Sequence, residues 1–198
     1  MPEGIPGLLA KVAIALALLA LGLVLAQRLF FDFMAQRPAD YAATAPEFEI
    51  RRALDGPMIA EGVIYGPTGR VATRFVAEMT GAWDAEGGTL TEDFRYDSGG
   101  TQRRAWRILP GPDARRFTAT AEDVIGVAEG EISGATAVLR YRLRLPEAAG
   151  GWQLDVTDWL YLGEDGVIVN RSQMRRFGVL LGELVGTIRP APDPAEAS

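Results

Sequence analysis

Cysteine and histidine are both missing from the 198 residues. Their absence excludes disulfides, thiol nucleophiles, histidine bases and every zinc, haem or iron–sulfur site that draws on either side chain. Lysine is nearly missing as well: Lys11 stands alone, so arginine supplies the positive charge, and the Arg, Ala and Gly bias fits a GC-rich bacterial genome. Between residues 46 and 189 acidic side chains outnumber basic ones by 21 to 17, and the arginines are dispersed instead of gathered in a stripe. That distribution argues against a nucleic-acid partner. No Gly-rich phosphate loop, serine nucleophile elbow or metal-spaced carboxylate cluster occurs, so neither a cofactor nor a metal is expected.

What the chain does have is one apolar run. Val12 to Ala26, VAIALALLALGLVLA, carries no charged or strongly polar side chain. As a helix it rises about 22 Å, and Lys11 can snorkel while Ile5 to Ala10 add length, so a span from Ile5 to Gln27 can approach the roughly 30 Å hydrocarbon core. We expect a transmembrane anchor over 1–27 with the N-terminus in the cytoplasm and the main domain in the periplasm. The competing expectation is an export signal cut after Val24-Leu25-Ala26 and a chain released to the periplasm. Leu29, Phe30, Phe31 and Phe33 suit an interfacial belt, 28–46 reads as a tether, and 190–198, rich in Pro and acid, as a disordered tail.

From 47 to 189 the dominant period is two. Val71, Thr73, Phe75, Ala77 and Met79 alternate with more polar positions, as do Ala137, Leu139, Tyr141, Leu143 and Leu145 against Val138, Arg140, Arg142 and Arg144. Eleven runs qualify as strands, beginning with Phe48–Leu54 and ending with Leu181–Arg189, and turn signals such as Asp97-Ser98-Gly99-Gly100 and Gly163-Glu164-Asp165-Gly166 separate them. So many short strands in sequence predict an all-β fold, an antiparallel up-and-down, lipocalin-like β-barrel preceded by one transmembrane helix; a two-sheet sandwich is the alternative.

Turn lengths set expected registers. A loop of Gly163 to Gly166 places Asp158 opposite Arg171, on the face that holds Trp152, Leu154 and Val156. A turn through Asp97 to Gly99 places Glu92 opposite Arg104 or one diagonal away, on a face with Trp106. Charges on an apolar face survive by pairing, and as core features they need no function. In a barrel the same residues project inward, so Glu92, Arg104, Trp106, Tyr141, Trp152, Asp158 and Arg171 are the candidate lining of a ligand site. Glu122-Asp123 reads as a solvated turn. Asp155 and Asp158 point to opposite faces, which argues against a cooperating acid–base pair, and no catalytic residue is assigned.

The segments GRVATRFVAEMTGAW, LTEDFRYDSGGTQRRAWRI, FTATAEDVIGVAEG, TDWLYL and VNRSQMRRFGVLLGEL resemble, in that order, the bacterial family catalogued as domain of unknown function 3833. The resemblance runs from Phe48 to Arg189. It implies an exported envelope protein; many members carry a lipid-attachment Cys that this chain lacks, which favours a peptide anchor in the inner membrane. It transfers no activity. The expected function is therefore that of an uncharacterised, membrane-anchored envelope protein with a lipocalin-like barrel that binds a small amphipathic or lipid-like ligand. The alternatives are a carboxylate-dependent hydrolase or isomerase using Asp158 or Glu92, opposed by the acidifying effect of a nearby arginine, and a structural adaptor marked by an exposed apolar patch and no pocket.

Overall fold

A computed structural model describes residues 5–30 and 32–192 and divides the chain into two compact units, residues 1–40 and 41–198. In the first unit a single helix, α1, runs from Ile5 to Phe30. Its stretch Gly7–Gln27 has a mean hydropathy of 2.7 and exposed side chains, and its 21 residues rise about 31 Å, long enough to cross a bilayer. A signal sequence has the same character. Of the expected aromatic belt, Leu29, Phe30 and Phe31 lie outside the residues whose side chains are described, whereas Phe33 is buried instead of exposed at an interface. Of the expected disordered tail, Pro190 ends the last strand and Ala191 N donates to Pro57 O at 2.9 Å, while 193 onward lies outside the described residues.

The second unit is a closed antiparallel barrel of ten strands. They are β1 (Gly56–Tyr65), β2 (Val71–Trp83), β3 (Gly88–Tyr96), β4 (Thr101–Pro110), β5 (Arg116–Thr120), β6 (Ala128–Ser133), β7 (Thr136–Arg144), β8 (Gln153–Leu162), β9 (Ile168–Arg176) and β10 (Val179–Pro190). Each strand pairs with its sequence neighbours, and β10 returns to β1 to close the wall, so no edge is left. A sandwich is thereby excluded. The period of two works as expected: in β2, Phe75, Ala77, Met79 and Gly81 face in while Arg74, Val76 and Glu78 face out. On the outer wall, exposed ladder pairs such as Arg95–Glu78 and Arg142–Asp155 contribute little each.

Phe48–Leu54, expected as an eleventh strand, folds differently. Ile50–Ala53 is a short helix, α2, and Ile50, Ala53 and Leu54 fall at i, i+3 and i+4, which turns all three toward the core. This segment stoppers one end of the barrel. Trp83 Nε1 donates to Leu54 O at 3.0 Å, Arg51 donates to Asp84 O at 2.6 Å, and Phe48 N donates to Gly134 O at 2.8 Å. Part of the expected tether is also ordered on the wall: the Tyr41 ring packs edge-on against Trp159 at 5.3 Å and Tyr161 at 5.8 Å. That cover explains why Trp159, on the outer face of β8, is fully buried.

One register differs from expectation. The β8–β9 loop spans five residues, closed by Gly163 N donating to Val167 O at 2.7 Å with Gly166 at φ +81°. Asp158 therefore faces Ser172, and Arg171 faces Trp159. A one-residue slip exchanges the faces of a strand. Arg171 is thus on the outer wall, where it pairs with Glu183 at 2.9 Å, while Asn170 and Ser172 point inward. The β3–β4 hairpin is as expected, with Glu92 directly opposite Arg104.

Candidate functional site

Inside the barrel is a cavity of about 270 Å³. Its floor, at the α2 end, is apolar: Ile50, Leu54, Leu90, Ile108, Phe117 and Ile188 line it. Its other end opens between the loops that follow β1, β3, β5, β7 and β9; there Arg144 and Pro146 both line the cavity and reach solvent. Between floor and mouth lies a band of polar side chains, each put there by strand alternation except Asp123, which comes from the loop between β5 and β6.

Arg104 is the cation of this band. Its Nε donates to Asp123 Oδ2 at 3.0 Å, its Nη2 donates to the same oxygen, and its guanidinium lies 5.5 Å from the centre of the Trp106 ring. Trp106 in turn meets Tyr141 edge to face at 5.2 Å and donates from Nε1 to Glu92 Oε2 at 3.2 Å. Asp158 accepts hydrogen bonds from Asn170 Nδ2 and from the Ser172 side chain. Nearer the mouth the Tyr96 hydroxyl donates to Gln102 Oε1 at 2.9 Å. One acceptor is left over: Asp123 Oδ1 is buried and has no hydrogen-bond partner among the described residues.

Three carboxyls share one guanidinium, and burial dominates the proton affinities of two of them, Glu92 and Asp158. Burial pushes Glu92 up to about 7, against the opposing pull of Arg104 and the Trp106 hydrogen bond. Burial likewise raises Asp158 to about 6, opposed by Asn170, Arg104 and Ser172. The acidifying effect of the arginine is present at both acids, and desolvation outweighs it. Tyr141 is driven up by burial and then by Asp158. Burial works to lower the Arg104 affinity, but the acidic groups around it outweigh that and hold the guanidinium charged. Among the described residues no group of three or more acids is arranged to hold a metal ion.

Of the seven candidate lining residues, five meet around this cavity: Glu92, Arg104, Trp106, Tyr141 and Asp158. Two do not. Arg171 is outside for the register reason given above, and Trp152 sits before β8, 46% exposed, with the Arg176 guanidinium 4.8 Å from its ring centre. Sequence reasoning missed Asp123, Asn170 and Ser172. Asn170 and Ser172 were hidden by the one-residue slip. Asp123 is brought in by a tertiary contact, the isolated bridge from Val124 to Leu143 that draws the β5–β6 loop against the wall.

The family described as "Protein of unknown function (DUF3833)" matches residues 28–189. No curated protein matches the sequence. Among solved structures, the S-type phycobiliprotein lyase CPES from Guillardia theta superimposes with a TM-score of 0.53 at 8% identity, covering 75% of this chain and 99% of that one. Rv2717c from M. tuberculosis gives a TM-score of 0.52 at 16% identity, with the same 75% and 99% coverage. At these identities the likeness concerns the fold alone.

Proposed function

The chain belongs to the DUF3833 family, and we propose that it is a non-enzymatic binding barrel that holds a small amphipathic molecule, with the apolar end on the floor and a hydrogen-bond-donating end in the carboxyl band. The observation that carries this reading is the cavity's division of labour. An apolar floor adjoins a band in which three carboxyls, Glu92, Asp123 and Asp158, outnumber the one guanidinium of Arg104, and Asp123 Oδ1 has no hydrogen-bond partner among the described residues. A pocket with a few convergent polar groups on an apolar ground is the usual form of a small-molecule site, and about 270 Å³ is near the small end of that class. In this reading α1 anchors the chain in the bacterial inner membrane, with the barrel in the periplasm, and no nucleic acid is involved.

The test uses the full chain in amphipol, with n-octylamine and n-octanoate as probes and Trp106 fluorescence as the readout. The amine should saturate the site and bind at least tenfold more tightly than the carboxylate, and Trp106→Phe should abolish the signal. Tighter binding of octanoate, or no saturable change with either probe, would overturn the reading. Native mass spectrometry of chain extracted from membranes should in addition show a retained small mass.

A second reading is favoured by one observation, the rise of Glu92 to about 7. A carboxyl half-protonated near neutrality is suited to general acid–base work, as in a hydrolase or isomerase. Glu92→Gln separates the two: the binding barrel keeps its ligand, whereas an enzyme keeps its ligand and loses turnover.

A further inference from the structure

β9 and β10 are joined by a turn of only two residues, Phe177 and Gly178, at φ +51° and +77°. Two positive φ values in succession are the requirement of the hairpin turn that matches strand twist, and Asn-Gly or Asp-Gly is the usual occupant. A phenylalanine in the left-handed region is a strained choice. It is also 89% exposed. Strain and lost burial thus fall on the same side chain, at the tip of a hairpin beside the cavity mouth.

Phe177 does not stand alone. Val179 is exposed at the end of the turn, Trp152 is exposed on the neighbouring strand start, and the Arg176 guanidinium lies between the two rings, 4.8 Å from Trp152 and 5.1 Å from Phe177. Arg176 is half-buried between these rings and pairs with no carboxylate among the described residues. Scattered surface apolar residues need no explanation, but a contiguous aromatic, cation, aromatic cluster has the make-up of a membrane-interface anchor. Trp152 O accepts from Leu145 N at 2.8 Å, and Leu145 and Pro146 line the cavity, so the cluster sits on the mouth itself.

We propose that the barrel docks its mouth on an anionic lipid surface, with Trp152 and Phe177 seated in the interface and Arg176 against the headgroups. Charge complementarity selects the occupant, since an unpaired guanidinium flanked by rings fits lipid phosphate better than it fits an apolar protein face. The chain's apolar helix is a second, independent reason for it to be near a bilayer. The docking holds whether or not the cavity takes an amphiphile; if it does, the mouth faces the phase from which such a molecule comes.

All four tryptophans lie in the barrel and none in α1, which makes a clean test with the full chain. It is reconstituted in vesicles of phosphatidylglycerol and phosphatidylcholine with brominated acyl chains, and tryptophan quenching is read. Wild type should be quenched. Trp152→Phe should lose the quenching because the reporter is gone, and Phe177→Ser and Arg176→Glu should weaken it, while Arg176→Lys retains it. Phosphatidylcholine alone or high salt should also weaken it. No quenching of wild type, or quenching unchanged in Phe177→Ser and Arg176→Glu, would overturn the proposal. So would a change in the association state of Phe177→Ser in solution without any lipid effect, which would assign the cluster to a protein contact.

Discussion

The two ends of the barrel are built on opposite terms. At the floor, α2 is stoppered in place, the Trp83 indole donates to Leu54 O, and Gly81 runs so close beneath that a Cβ there would lie 1.7 Å from the same oxygen. At the mouth, a non-glycine residue, Phe177, takes positive φ at a cost, and the rings of Phe177 and Trp152 face solvent. Packing is complete at one end and withheld at the other. Low local stability and retained strain are the usual marks of the working side of a molecule, and close packing of the side that holds it together.

A matched pair of substitutions breaks this comparison if it is mistaken. Gly81→Ala must displace the Leu54 carbonyl, a backbone atom, and should cost on the order of 3 kcal/mol in chemical denaturation. Gly100→Ala adds the same methyl at the mouth, where its nearest neighbour is Ser98 Oγ at 3.7 Å and its φ is ordinary. It should change stability by less than about 0.5 kcal/mol. Equal costs would mean that the floor is not the fixed end.

Next in size is the effect of the band between the ends. Glu92 ordinarily titrates at 4.5 and is raised to about 7 in the fold. Between those values the native state binds more protons than the unfolded chain, so the contribution is fully present below pH 4.5 and is lost as pH rises through 7. The difference corresponds to roughly 3 kcal/mol. Glu92→Gln cannot take part in this titration. Melting the two proteins across pH 4 to 8 should show the variant gaining on wild type as pH rises, with a flatter slope. Asp158, raised to about 6, leaves a smaller slope of the same sign at lower pH. A slope unchanged by Glu92→Gln would place the buried proton elsewhere.

How far this was legible from sequence depends on what each element's neighbours had to say. Strand alternation is a local property, so the ten strands, the barrel and the inward positions of Glu92, Arg104, Trp106, Tyr141 and Asp158 could be read residue by residue. Register across a hairpin depends on one loop residue. Asp97–Gly100 gave the right answer, but Gly166 at φ +81° lengthened the β8–β9 loop and carried Arg171 to the outside. Phe48–Leu54 reads as a strand because a helix of only four residues, Ile50–Ala53, is too short to show a helical period of its own. Asp123 was beyond reach for another reason: a carboxylate beside a turn looks solvated until Arg104, nineteen residues back in the chain, is known to face it at 3.0 Å.

The smallest effect discriminates most sharply between strain that serves the mouth and strain that is merely tolerated. Phe177→Asn keeps the backbone at φ +51° but replaces a bulky ring with a residue that visits the left-handed region readily, and it removes 89%-exposed apolar surface. Nothing buried is lost, because the ring's contact is with the Arg176 guanidinium at 5.1 Å on the surface. The variant should therefore be more stable than wild type by about 0.5–1 kcal/mol, read as a raised melting temperature at pH 7. The same variant should weaken quenching by brominated anionic lipid. A gain in stability together with weaker lipid contact marks a position where the turn's own preference has been overruled for the sake of what the tip touches. If Phe177→Asn is destabilising instead, the ring contributes to holding the hairpin, and the contrast between a packed floor and a strained mouth loses its strongest member.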